Sequence, residues 1–255
     1  MIDTHSHLQD ELIKDYALAI KNANNVGVNK IVCASSNISN SKLAIKIAGE
    51  FDCVYATVGI HPEDANTYNN TSILDLENLA QNKKVVAIGE IGLDYYHQFA
   101  TKELQKKVFI EQIELAYKLK LPIIIHSREA TGDLIDIIRV YKNKMIYGAC
   151  IHCFNMSLEI LKEITSYGLC ISIGGLVTFK NAKNVIDIIK NCPLDKLMLE
   201  TDTPYLAPEP YRGTINEPKN VAVIIQKIAQ ILEITTEELN RITTQNAERF
   251  FNFNK

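Results

Sequence analysis

Eight short runs of β-branched and apolar residues recur along the chain, and most are followed by a longer stretch with helical spacing. The runs cover residues 2–5, 30–34, 54–58, 85–89, 122–126, 146–151, 169–173 and 197–201. Between them, in 101–120, Leu104, Val108, Ile110, Ile113, Leu115 and Leu119 recur at roughly the period of a helix. A second helical stretch covers 157–167. Strands covered on both faces read as continuous apolar runs, and strands alternating with helices imply a parallel sheet. Eight such units in 255 residues fit one closed (β/α)8 TIM barrel of the α/β class better than an open doubly wound sheet. Residues 218–250 read as two extra C-terminal helices, with Thr235-Thr236-Glu237-Glu238 as a capping signal between them. The proline-rich segment 202–217 reads as a long structured loop. The expectation is a single barrel domain over 1–255.

Composition limits the functions such a barrel can serve. With 47% hydrophobic and 22% charged residues the chain can bury a sizeable core, which excludes disorder. Twenty-seven Lys and Arg against 30 Asp and Glu give a net charge of −3. That excludes a protein that coats nucleic acid through a broad basic face, but not an enzyme that grips a few phosphates. No apolar run approaches the roughly 18 residues of a membrane span, and the first residues lack a basic start and an apolar core. A cytoplasmic enzyme with no membrane partner is expected, and nothing in the sequence requires more than a monomer. The six cysteines are scattered. Only Cys150 and Cys153 have CxxC spacing, and they lie in a mid-chain strand rather than at the start of a helix, so reduced thiols are expected.

The chemistry is carried by strand ends. His5 and His7 close the first run, and residues two apart in extended chain face one side. Glu90 follows the fourth run, His126 ends the fifth, His152 follows the sixth and Asp202 the eighth. Taken singly, each has an ordinary reading as a loop, capping or core group. Together they place six metal-competent side chains at strand ends that converge on one mouth of a TIM barrel. Four imidazoles and two carboxylates exceed one tetrahedral zinc and suit two divalent ions about 3.5–4 Å apart. Glu90, on the middle strand, is the natural bridge. Asp3 and Glu200 fall on the same side and are expected to orient the ligand imidazoles.

Seven stretches, in order through the chain, resemble the TatD family of metal-dependent hydrolases. They are Asp3-Thr4-His5-Ser6-His7-Leu8, Gly59-Ile60-His61-Pro62, Gly89-Glu90-Ile91-Gly92-Leu93-Asp94-Tyr95-Tyr96, Ile125-His126-Ser127-Arg128-Glu129-Ala130, His152-Cys153-Phe154, Glu200-Thr201-Asp202-Thr203-Pro204-Tyr205-Leu206 and Arg212-Gly213-Thr214-Ile215-Asn216-Glu217-Pro218. The resemblance implies an amidohydrolase-like TIM barrel, two divalent cations and the Mg²⁺-dependent deoxyribonuclease activity of characterised members, with Zn²⁺ or Mn²⁺ as other occupants. It implies one ion on His5, His7, Glu90 and Asp202, and a second on Glu90, His126 and His152. Asn155 departs from the aromatic or hydroxyl residue usual beside Phe154. Residues 85–93 hold no lysine to serve as a carbamylated bridge, which argues against a dihydroorotase-like enzyme.

Asp202 and Glu90 are the expected catalytic carboxylates, with Asp202 as proton acceptor. His61, Arg128 and Arg212 are the candidate substrate contacts, since a guanidinium can bind phosphate through two parallel hydrogen bonds. Lys180 reads as a solvated helix start. Tyr95, Tyr96 and Tyr205 offer faces on which bases can stack. DNA, as short or single-stranded ends, is the expected substrate. Small phosphoesters or amides on the same metal site, and a non-catalytic metal-binding protein, remain as alternatives.

Overall fold

The computed structural model describes residues 1–253, so the last two positions of the expected domain lie outside the described residues. Eight parallel strands form one sheet in chain order. They are β1 (Ile2–Ser6), β2 (Lys30–Cys33), β3 (Val54–Val58), β4 (Val85–Asp94), β5 (Ile123–Arg128), β6 (Ala149–Ile151), β7 (Cys170–Ile173) and β8 (Leu197–Leu199). The helices are α1 (Tyr16–Asn25), α2 (Ile38–Glu50), α3 (Ser72–Leu79), α4 (Lys102–Leu119), α5 (Thr131–Tyr141), α6 (Leu158–Ser166), α7 (Lys183–Asn191), α8 (Val221–Leu232) and α9 (Thr236–Phe251). This is the (β/α)8 barrel with extra C-terminal helices that the alternation predicts. Side-chain caps start several helices: Asp15 accepts from Leu18 N, Asn37 from Asn40 N and Thr101 from Leu104 N. Thr235 Oγ1 accepts from Glu238 N at 3.1 Å, as its capping signal predicts. Among the described residues no helix is long and apolar enough to cross a membrane.

The chain resolves into two compact units. One comprises Met1–Cys33 with Cys153–Arg249, and the other Ala34–His152 with the C-terminal residues from Phe250. In the first, β1 and β8 run parallel and are tied together. Asp202 N donates to His5 O at 3.0 Å, His7 N to Thr203 O at 2.6 Å, and Thr4 Oγ1 to Leu199 O at 2.9 Å. The core of this unit includes Leu8, Ile20, Ile31, Phe154, Ile171 and Ile228, all at most 1% exposed. In the second, β3, β4, β5 and β6 pair in sequence. Phe109, Ile47, Leu76, Ile88 and Ile91 are fully buried there. The C-terminal segment packs on this unit, with the Phe253 ring 4.5 Å from that of Tyr55.

Two strand boundaries differ from the sequence expectation with consequences for the site. β4 does not stop at Gly89. It continues to Asp94, paired with β5 through Asp94 opposite Arg128. Glu90 therefore sits inside the strand, and His126 inside β5. The apolar run stops at Gly89, but at Gly92 the strand continues with φ +145°, where a Cβ would lie 2.0 Å from His126 O. Glycine here permits close approach to β5 rather than a turn. β8 is shorter than expected, ending at Leu199, so Glu200 and Thr201 already belong to the loop that carries Asp202.

Candidate metal centre

The first group of donors stands where β1 meets the loop after β8. His5 and His7 project to one side of β1, with their Nε2 atoms 3.2 Å apart. Asp202 Oδ1 lies 3.4 Å from His7 Nε2 and 3.8 Å from His5 Nε2. Asp202 adopts the left-handed region, φ 59°, which Asp tolerates better than most side chains. The loop is braced from below. Asp3, fully buried, accepts from Thr201 N at 2.9 Å and Thr201 Oγ1 at 2.6 Å. Asn216 Nδ2 ties Thr201 O and Tyr205 O at 2.8 and 2.7 Å. Tyr205 turns its ring edge toward His7, centroids 6.1 Å apart, and donates to Asp10 Oδ2 at 2.7 Å.

The second group belongs to β4, β5 and β6. Glu90 Oε1 lies 2.8 Å from both His126 Nδ1 and His152 Nε2, and those two nitrogens are 3.2 Å apart. His61, after β3, joins them: its Nε2 is 3.3 Å from Glu90 Oε1 and its ring 4.3 Å from that of His126. Its Nδ1 accepts from Glu63 N at 3.2 Å, so the other nitrogen is the one that faces Glu90. Burial, with His126 beside it, lowers the His61 pKa despite Glu90. Burial would also lower that of His126, but its bonds to Asp94 and Glu90 prevail and raise it.

Donors held about 2.0–2.2 Å from a divalent ion, in tetrahedral or octahedral array, lie about 3.0–3.6 Å from one another. Both groups come close to that spacing, and each mixes imidazole nitrogen with carboxylate oxygen, a donor set suited to Zn²⁺ or Mn²⁺. The residues present therefore fit divalent cations. His5, His7 and Asp202 could hold one, and Glu90, His126 and His152 could contribute to another.

Asp3 and Glu200, expected to orient the ligand imidazoles, are engaged by backbone N–H and hydroxyl groups. The Asp3 carboxylate accepts from Thr201, and its Oδ1 lies 3.4 Å from His5 N. Glu200 accepts from Cys153 N at 2.7 Å and from Ser172 Oγ. With β8 ending at Leu199, Asp3 ties down the loop at Thr201, and Glu200 joins Cys153 to Ser172 of β7. Asp94 holds an imidazole: its Oδ2 lies 3.0 Å from His126 Nε2. Its signal was in the sequence, since Asp94 stands four residues after Glu90 and an unbroken strand puts both on one face. Its carboxyl, though buried, is held well below the usual carboxylate range by His126 and His97.

The substrate candidates are placed as follows. Arg128, exposed at the end of β5, lays its guanidinium 3.9 Å from the centre of the Tyr96 ring. Arg212 lies 4.3 Å from the centre of the Phe179 ring. Glu217 pairs with Lys219 and Asn22. Cys150 is buried, and no candidate donor group among the described residues includes a cysteine. A Cys150→Ala, Cys153→Ala protein is therefore expected to bind metal as wild type does and to lose about 1 kcal/mol of stability. Metal analysis beside a thermal melt checks this, and loss of all metal would show the ligand set to be wrong.

Imidazole and carboxylate donors gathered at strand ends of a (β/α)8 barrel define a metal-dependent hydrolase. The sequence pattern of the TatD related DNase family matches residues 2–252, and the chain belongs to that family. It is 40% identical to the uncharacterized metal-dependent hydrolase YabD of Bacillus subtilis, over the whole of both chains. It is 35% identical to the uncharacterized metal-dependent hydrolase YcfH of Escherichia coli, over 98% of this chain and 95% of that one. Among solved structures it is similar to YJJV, a TatD homolog from Escherichia coli, with TM-score 0.93 and 28% identity over 99% of this chain and 98% of that one.

Proposed function

We propose that the chain is a cytoplasmic, divalent-metal-dependent deoxyribonuclease that hydrolyses phosphodiester bonds in short or single-stranded DNA ends, working as a single barrel domain. The observation that carries the reading is the pair of imidazole–carboxylate groups in a member of a DNase-named family. In this reading His5, His7, Glu90 and Asp202 would hold one ion, and Glu90, His126 and His152 a second. Mg²⁺, Mn²⁺ and Zn²⁺ are the candidate ions. When bound, such ions supply Lewis acidity, polarising the phosphate and making water acidic enough to attack near neutral pH.

The chain's own residues supply the rest. Asp202 accepts the proton of the attacking water and holds that water in line with the scissile P–O bond. As the new P–O bond forms, the old one breaks, and the leaving oxygen departs as a hydroxyl on taking up the proton that Asp202 accepted, directly or through solvent. Arg128 forks onto the non-bridging phosphate oxygens. His61, next to Glu90, donates to a phosphate oxygen. Arg212 holds a neighbouring phosphate. Tyr96, 52% exposed under the Arg128 guanidinium, offers a face for a base.

Purified protein should be assayed on 5′- and 3′-labelled single-stranded oligonucleotides, beside a small phosphodiester and an amide. A chelator should stop oligonucleotide cleavage and Mg²⁺ or Mn²⁺ restore it. Metal-replete protein that leaves every oligonucleotide intact while turning over the small ester or amide would end the DNase reading.

The charge predicts a modest salt dependence. A net charge of −3 leaves a few phosphate contacts rather than a track. Two or three neutralised phosphates, each contributing about −0.7 for single strands, give a slope near −2 in log affinity against log salt. Arg128→Ala should flatten it by about one and raise KM without changing metal content. KM for a short oligonucleotide across a KCl series at fixed Mg²⁺ measures it, and a slope of about −6 would require a basic track the chain lacks.

A further inference from the structure

We propose that Asp94 is a positioning residue that decides which nitrogen of His126 faces the metal-binding donors, and that His97 and Glu63 hold Asp94 in that pose from the solvent side. It rests on the metal-binding reading above for its effect on affinity, but not for its effect on the imidazole itself.

Asp94 ends β4 at 1% exposure, and its carboxylate cannot swing. Oδ1 accepts the backbone N–H groups of Tyr96 and His97, each at 2.9 Å. Oδ2 lies 3.0 Å from His126 Nε2 and 3.1 Å from His97 Nδ1. The Asp94 backbone is clamped as well. Its N–H donates to Gln105 Oε1 and its carbonyl accepts from Gln105 Nε2, both at 2.8 Å, and Gln105 is itself buried on α4.

An ionised carboxylate only accepts hydrogen bonds, so the His126 nitrogen facing it carries the proton. In a neutral ring the lone pair then lies on Nδ1, the atom 2.8 Å from Glu90 Oε1 and 3.2 Å from His152 Nε2. Two carboxylates face opposite edges of one ring and compete for its single proton. If Glu90 won, Nδ1 would carry hydrogen and could not bind a cation. Asp94, anchored by two backbone N–H groups, settles the contest toward a metal-ready Nδ1.

The outer contact reaches solvent. His97 Nδ1 stands 2.8 Å from Glu63 Oε1 as well as 3.1 Å from Asp94 Oδ2. Its ring lies parallel to that of Phe99, 5.8 Å between centroids and 4° between planes. Glu63, Asp94 and His97 have donor atoms close enough to be read as a metal site of their own. Asp94 Oδ2 is already committed to His126, however, and one proton on His97 Nδ1 satisfies both carboxylates. The trio is thus a hydrogen-bond relay onto a ligand.

The test uses full-length protein with ¹⁵N-labelled histidine, stripped of metal, at a pH where the His126 ring is neutral. Long-range ¹⁵N–¹H spectra distinguish the two tautomers. Wild type is expected to show His126 protonated at Nε2, and Asp94→Ala to move that proton toward Nδ1. Asp94→Asn, which keeps an acceptor oxygen but not the charge, should fall between. In Mn²⁺ titrations Asp94→Ala should weaken one equivalent by about 10–100-fold. Asp94→Asn should restore part of that loss, and His97→Gln should lose less than either. Should Asp94→Ala not fold, Asp94→Asn and His97→Gln carry the test. An unchanged tautomer with affinities within twofold of wild type across the folded variants would overturn the proposal. So would a third metal equivalent in wild type that His97→Gln removes. A wild type that binds no Mn²⁺ at all would fell the metal reading, while the tautomer spectra would still decide the role of Asp94.

Discussion

Asp202→Asn is expected to lower turnover by about 10²–10⁴-fold, the usual worth of a positioned base, while most of the metal stays bound. Asn keeps an oxygen facing His5 and His7, which stand 3.8 and 3.4 Å from the present Oδ1. It cannot take a proton from water. Glu90→Ala should behave differently. Its Oε1 is the atom within 2.8 Å of both His126 and His152, so its removal leaves those nitrogens with no anionic partner at that point. Metal content and turnover should then fall together. The two variants are to be measured side by side by metal analysis and oligonucleotide cleavage. Undiminished turnover in Asp202→Asn would reject Asp202 as the proton acceptor.

The largest expected effect on stability comes from Gly92→Ala. The new methyl would meet His126 O at 2.0 Å, in a backbone with φ +145° that side chains rarely adopt. Strain and overpacking together should cost about 3–5 kcal/mol. For a chain of this size that lowers the melting temperature by roughly 10 °C. Because the pushed strand carries His126, metal affinity should fall as well. Gly132→Ala, on α5 with no atom within 4 Å of the added carbon, is the control. It should be neutral or slightly stabilising. A Gly92→Ala protein that melts with wild type would show that β4 and β5 can part locally without cost.

The barrel was legible because most of its strands are buried on both faces, so they read as apolar runs whatever their neighbours. The donors were legible for a related reason. His5, His7, Glu90, His126, His152 and Asp202 interrupt or end such runs, and polar groups there need a purpose. Three things escaped the sequence. The run for β4 reads as ending at Gly89, because a glycine that permits close strand approach looks the same as one that permits a turn. That error hid Asp94, which belongs to the same strand face as Glu90. The partners of Asp3 and Glu200 escaped because they depend on where β8 ends and how the loop beyond it curls, which side-chain periodicity does not report. His61 reads from the sequence as a substrate contact, but periodicity does not report that its ring stands beside Glu90 and His126.

The two donor groups also differ in when they can exist during synthesis. His61, Glu90, His126 and His152 lie within one continuous stretch, and a growing chain contains all four once residue 152 is made. His5 and His7 are made early relative to their partner Asp202, which follows nearly two hundred residues later. At about 5–20 residues per second that is a wait of roughly 10–40 s. The ties between β1 and β8 share this delay, because they join the same two stretches of chain. Through that interval the β1 histidines have no carboxylate from Asp202, and β1 lacks its β8 neighbour. Completion of the first donor group and closure of the barrel are therefore a single late event, set by chain order rather than by the chemistry of the ligands.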